Sequence, residues 1–343
     1  MRLFKVFAVF AVVAISASAF AADDFTVNPF LRFRMQSEFV TDQTNMDFDL
    51  SGITIEKKFG DNFSAVVTPG FMRKNAITNQ AAAANNTVDF VLVNGFFKIN
   101  DLTKEYGDYG IALTVGQYES PMYFAEQNYQ PFRFVMQPLD SRLLPANYVE
   151  MGAMMSKSFF EDALVTSLMY SSGRGMWNGY NNPADGLGNA GAAVLTATIA
   201  PFKAFDNEAM KELSLTFNWK AVGRTTQVSN YNLLLGYKYE GFATSLEYLG
   251  TYSKGNTSDK AMSFGASYDV WANLQPMVRW DYTDNKGGSL NVVNTYEHIF
   301  LLGMNTKWFE DKLQAAVTYD QTYCPDTKVN VAKRFMISTQ VSL

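Results

Sequence analysis

The feature that most constrains this chain is an alternation of apolar and polar side chains with a period of two, repeated along most of its length. Such alternation builds strands whose two faces meet different surroundings. In the first run, Leu31, Phe33, Met35 and Phe39 share one face, and Arg32, Arg34, Gln36 and Glu38 the other. Later runs repeat the theme: Tyr231, Leu233, Leu235 and Tyr237 oppose Asn232, Gly236 and Lys238, and Leu274, Val278, Trp280 and Tyr282 oppose Gln275, Arg279, Asp281 and Thr283. Sixteen runs can be delimited, at 29–40, 46–59, 63–73, 87–99, 110–118, 147–158, 163–172, 190–201, 212–224, 228–240, 242–253, 259–271, 273–284, 292–308, 312–323 and 329–343. Most are close to the ~9–11 residues that a tilted strand needs to cross the apolar layer of a membrane. Gly52, Pro69 and Pro276 fall inside their runs and suggest bulges or misplaced boundaries there.

A soluble sandwich also alternates, but it buries its apolar face in its own core. Long strands, apolar faces rich in Tyr and Trp, and an even strand count point to lipid instead. Closure into a barrel leaves no unpaired edge, and an unpaired backbone group in hydrocarbon costs several kcal/mol. The expected fold is therefore all-β, a transmembrane antiparallel β-barrel of about 16 strands. Membrane helices are excluded, because the longest apolar run is Val6–Ile15 and the mean hydropathy is only −0.10.

Residues 1–21 read as a secretory signal, with Arg2 and Lys5, the apolar run, and Ala19-Phe20-Ala21 as the cleavage site. Residues 22–343 are the expected outer-membrane barrel, placed in the cell outer membrane with its lipid as partner. Loss of Arg2 and Lys5 takes the formal charge from −5 to −7, so nucleic acid is not an expected partner. Cys324 is the single cysteine, and no internal disulfide can form.

Connection lengths give an orientation. Counting from the periplasm, long segments (74–86, 119–146, 173–189) fall outside, and short ones such as Gly60-Asp61-Asn62 and Gly241 fall in the periplasm. The connections 100–109 and 202–211 are longer than this rule expects. The third outer connection, 119–146, holds Pro121, Pro131, Pro138 and Pro145 with Tyr123, Phe124, Tyr129, Phe132 and Phe134. An aromatic loop needs a surface to pack on, and the inner wall is nearest, so an inward-folded third extracellular loop is expected. A lid over the barrel mouth is the alternative.

At this loop the residues reach a family. Val115-Gly116-Gln117-Tyr118-Glu119-Ser120-Pro121 resembles a strand end of the phosphate-selective porin O and P family. Asn147-Tyr148-Val149-Glu150-Met151-Gly152 and Tyr170-Ser171-Ser172-Gly173-Arg174-Gly175 resemble two further stretches of it, and the likeness covers about 110–175. The alternation of Phe335, Ile337, Thr339, Val341 and Leu343 resembles the terminal signal of outer-membrane barrels, which usually ends in an aromatic residue rather than Leu. The resemblance implies a sixteen-stranded homotrimer, an ion-transporting porin whose inward loop sets selectivity. The candidate constriction is Glu119, Glu126, Arg133, Asp140 and Arg142; it contains no lysine, unlike the basic constriction of phosphate-selective members.

On the polar strand faces, Arg32, Arg34, Lys220, Lys238, Arg279, Lys307 and Arg334 line the expected lumen wall against Glu38, Glu150, Glu247, Asp269, Asp281, Glu297 and Asp320. Equal numbers give no sign of selectivity. A segregated field and paired charges that merely solvate the lumen both fit. An enzyme is not expected: His298 is the only histidine, and Ser120 and Ser141 have no identifiable base beside them. No metal spacing and no cofactor motif appear. The expected function is a passive diffusion channel for small hydrophilic solutes and ions, weakly ion-selective; an adhesin or binding barrel working through its outer loops is the alternative.

Overall fold

The computed structural model describes residues 25–39, 43–73, 88–104, 109–130, 139, 143, 149–175, 191–203, 208–222, 228–253, 258–271, 273–286, 296–309, 312–327 and 329–342. The strands are β1 (Phe25–Glu38), β2 (Gln43–Phe59), β3 (Phe63–Arg73), β4 (Val88–Ile99), β5 (Ile111–Glu119), β6 (Val149–Phe159), β7 (Leu164–Gly175) and β8 (Ala192–Ile199). They continue with β9 (Ser214–Val222), β10 (Val228–Tyr239), β11 (Phe242–Ser253), β12 (Asp259–Tyr268), β13 (Leu274–Asp284), β14 (Tyr296–Trp308), β15 (Leu313–Cys324) and β16 (Val329–Ser342). Helix α1 (Pro121–Tyr129) follows β5, and the short α2 (Glu208–Lys211) lies between β8 and β9.

Each strand pairs antiparallel with its chain neighbours, and β1 closes on β16 through Phe30–Glu38 and Arg334–Ser342. The result is a closed barrel of sixteen strands, as the alternation predicts. Among the described residues, most strands have one exposed and largely apolar row, including Phe97, Leu168, Tyr170, Leu246 and Phe300. The other row is buried and mostly polar, including Thr216, Asn218, Asn232, Glu247, Asp281 and Asp320. The apolar row faces outward, where only lipid can cover it.

Strand limits move by up to four residues from the sequence reading. β1 starts at Phe25 rather than 29 because Thr26–Asn28 find partners in Thr54–Glu56 of β2. The described part of β14 begins at Tyr296, paired with Asp284, and the expected start at 292 lies outside the described residues. Of the expected bulges, the one beside Pro69 is present: the β3–β4 register shifts there, leaving Val93 as the extra residue. Beside Gly52 the β1–β2 register shifts too, between Leu31–Ser51 and Phe33–Phe48, whereas the β13–β14 ladder runs through Pro276 without a bulge, which corrects the expectation there. The β12–β13 ladder ends at Met277, so Pro276 needs no donor on that side. Gly52 is also required by close approach, since a Cβ there would lie 2.8 Å from the Pro69 carbonyl oxygen.

The β10–β11 turn is Glu240-Gly241, with φ of 45° and 79°. Positive φ at both positions matches the twist of a two-residue hairpin, and Gly supplies it without strain. The segments 99–111 and 199–214 are connections on the side of the barrel that holds the chain termini, and α2 occupies part of the second.

Candidate functional site

The site is built where β5 leaves its neighbour. The β4–β5 ladder runs only from Gly95 paired with Gln117 to Ile99 paired with Leu113. Beyond it, the Gln117 side-chain amide donates to the carbonyls of Leu92 and Val93, which caps the bulged part of β4. Gly116 has φ of 132°, and a Cβ there would come within 2.3 Å of the Gly95 carbonyl oxygen. Only glycine fits. The Gly-Gln pair of the sequence motif is thus the device that ends this ladder and releases the chain.

The released segment starts a helix where the prolines and aromatics predict a loop. Ser120 is its N-cap, accepting a hydrogen bond from the Tyr123 amide at 3.3 Å, and Pro121 takes the first helical position. Both are favoured there, because an N-cap oxygen satisfies an orphan N–H and proline has none to lose. The signal was present in Ser120-Pro121 but was hidden among four prolines that read as loop-stiffening.

Helix α1 packs on the buried rows of β9, β10 and β11. Met122 and Ala125 contact Leu234, with Tyr129 beside them. The Tyr129 hydroxyl lies 2.6 Å from Ser214 Oγ, its ring lies over Gly236, and Lys238 Nζ sits 5.7 Å from the ring centre. Farther along, Leu139 and Leu143 bury themselves with Leu249 and Ala261. Leu234 and Leu249 interrupt an otherwise polar row. They are landing pads, each worth about 1.5–3 kcal/mol of apolar burial.

A polar network binds the same segment to the wall. Asn232 donates to Glu247 at 2.8 Å and to Glu126 at 3.5 Å. Gln130 donates to Glu247 at 3.4 Å and accepts from Arg279 at 3.2 Å, while Arg279 Nε bonds Asp281 at 2.8 Å. Glu126, Glu247 and Asp281 are fully buried, and a carboxylate removed from water must be paired or hydrogen-bonded. Arg279 and the two amides meet that need. Every member of the network is polar in the sequence, but its partner is not legible there: Gln130 and Arg279 are 149 positions apart in the chain.

Two further ion pairs lie elsewhere on the wall. Lys220 of β9 forms a buried ion pair with Glu150 of β6, and Arg334 Nε bonds both Asp320 oxygens at 2.9 and 3.1 Å. Arg32 donates to Gln340 at 3.1 Å. Lys238 and Lys307 share a cleft at the end of the barrel nearer the termini with Glu208, Glu212 and Asp269. Glu297 is buried at the start of β14. Arg34 and Glu38 lie on β1 opposite Ser338 and Arg334, but their side chains fall outside the described residues. These pairs favour the paired-charge reading at Glu150, Lys220, Arg279 and Arg334.

Of the five expected constriction residues, Glu126 joins the network just described. Glu119 ends β5 opposite Val149, one position off the buried row of Tyr118. Arg133, Asp140 and Arg142 lie outside the described residues. His298 is on the exposed row of β14, where its Nδ1 accepts from Trp280 Nε1 at 3.3 Å and its ring stacks with Phe300.

No protein-family model and no curated protein matches the chain. Solved structures do match. A loop L8 deletion mutant of OmpT, an outer membrane protein of Vibrio cholerae, superposes with a TM-score of 0.61 at 11% identity, covering 93% of this chain and 99% of its own. The outer membrane channel DcaP of Acinetobacter baumannii gives 0.61 at 10% identity over 93% and 97%, and an anion-selective porin from Comamonas acidovorans 0.59 at 10% over 93% and 99%. At such identities the likeness is one of fold. The fold is plain: a closed sixteen-stranded antiparallel β-barrel, like those of these outer-membrane proteins.

Proposed function

We propose that the protein is a passive diffusion channel of the outer membrane, in which the segment 119–146 folds into the barrel and forms its constriction. The observation that carries this reading is the docking of α1, through Leu234, Gly236 and the Glu126–Asn232–Glu247 network, onto the polar row of β9–β11. That row faces the barrel interior, so a helix seated on it narrows the lumen. Solutes cross through what remains, driven by their gradient. His298 is on the outer row with its Nδ1 bonded to Trp280 Nε1, so it is not a base for a substrate in the lumen. Removal of residues 1–21 during export, and assembly as a homotrimer, belong to the same proposal.

The wall pairs Glu150–Lys220, Arg279–Asp281 and Arg334–Asp320 cancel locally, and the sign of selectivity is assigned to the loop, which carries Arg133 and Arg142 with Glu119, Glu126 and Asp140. Charge at the narrowest point acts on an ion that has shed part of its screening, and it outweighs equal charge elsewhere. Weak selectivity is therefore expected, with phosphate specificity not implied. Recording in a salt gradient tests the reading. Replacing Arg133 and Arg142 by glutamate is expected to shift the reversal potential toward cations. An unchanged potential in a protein of unchanged fold would mean that this loop does not line the pore.

A further inference from the structure

The cleft that Lys238 and Lys307 share has a volume of about 390 Å³, within the ~300–1,000 Å³ usual for a small-ligand site. Its charges are graded with depth. Lys238, Gln275 and Lys307 lie on the inward rows of β10, β13 and β14, within the strands. Glu212, Glu240 and Asp269 lie beyond the strand ends: just before β9, in the β10–β11 turn and just after β12. The floor is therefore basic and the rim acidic. Glu208, also on the rim, is paired with Lys211. Backbone hydrogen bonds tie these turns together, from the Asp269 amide to the Gly241 carbonyl at 3.0 Å and from the Lys307 amide to the Asn273 carbonyl at 3.0 Å. Lys238 also meets the docked helix, with its Nζ 5.7 Å from the ring centre of Tyr129, the last residue of α1. The cleft thus lies beside the C-terminal end of α1, at the end of the barrel that holds the termini.

A bare anion drawn to the lysines has to pass the acidic rim, and a bare cation drawn to the rim is repelled by the floor. A solute that carries both charges, a few ångströms apart, is attracted at both of its ends when it enters carboxylate first. The strand rise of ~3.3 Å per residue puts Lys238 and Glu240 about 7 Å apart along β10. That spacing suits the two ends of a short peptide better than those of a single α-amino acid. We propose that this cleft binds short peptides with free amino and carboxyl termini, the carboxylate at Lys238 and the ammonium at Glu212 and Asp269. Under the channel reading, on which this rests, such peptides are the solutes that the pore holds longest on their way through.

Equilibrium binding of triglycine to the full barrel in detergent, followed by titration calorimetry, tests the site without requiring conduction. Acetyl-triglycine lacks the ammonium and triglycine amide lacks the carboxylate. Each is expected to bind about fivefold more weakly than triglycine, the effect of one accessible charge pair. K238M should weaken triglycine by the same factor and bind the amide as the wild type does, because the amide brings no carboxylate to the lysine. E212Q/D269N, whose changes lie outside the strands, should weaken triglycine and leave acetyl-triglycine unaffected. No binding of triglycine, equal binding of the three peptides, or wild-type binding of triglycine by both variants would overturn the site even in a barrel that conducts. A barrel that binds triglycine with this pattern but stays silent in a bilayer would uphold the site and overturn the channel reading.

Discussion

Replacing Glu150 by alanine is expected to lower the unfolding free energy of the barrel by about 3–5 kcal/mol, the usual cost of breaking a buried ion pair from one side. Glu150 and Lys220 come from β6 and β9, and their side chains are only 2% and 3% exposed. Removing the carboxylate leaves the ammonium of Lys220 in a poorly solvated place without its partner acid. The double variant E150M/K220M removes both charges and keeps the volume, so it should unfold close to the wild type, as replaced buried pairs often do. Denaturant titration in lipid vesicles, read by the heat-modifiable shift in gel migration, measures both. Equal losses in the single and double variants would mean that side-chain packing, not charge pairing, holds this part of the wall.

The second large effect is expected from the landing pads. The variant L234D/L249D puts carboxylates into the apolar contacts made by Met122 and Ala125 and by Leu139 and Leu143. An ionised carboxylate in an apolar contact costs several kcal/mol, more than the burial of a leucine returns. The strands themselves should tolerate the change, because aspartate suits a polar row and the backbone ladders stay paired. The docked segment should therefore be released while the barrel stays closed. A larger and noisier unitary conductance is the expected readout. A conductance equal to that of the wild type, in a folded barrel, would place the narrowest point away from α1.

These two regions differ in how far the sequence announced them. The strands were legible because a two-sided wall imposes a period of two on nearly every run. Edges were less so: β1 extends to Phe25 only because β2 offers partners, and no local signal reports that. The helix α1 had a local signature, Ser120 before Pro121, obscured by the prolines and aromatics that follow. The pads were visible as faults in the pattern, since Leu234 and Leu249 fall in the half of the alternation reserved for polar residues. Their meaning was not visible, because it depends on a segment that reaches them from β5. The same holds for the charges. Equal numbers of acids and bases could be counted on the wall, yet the pairing of Lys220 with Glu150 joins residues 70 positions apart. Only the closed barrel brings them together.

Whether this barrel conducts is measured with purified protein added to a planar lipid bilayer under an applied potential. Discrete, stepwise increases of current are expected as single barrels insert, each step growing in proportion to salt concentration. A silent membrane, with protein that shows a β-dominated spectrum and heat-modifiable migration, would contradict that expectation.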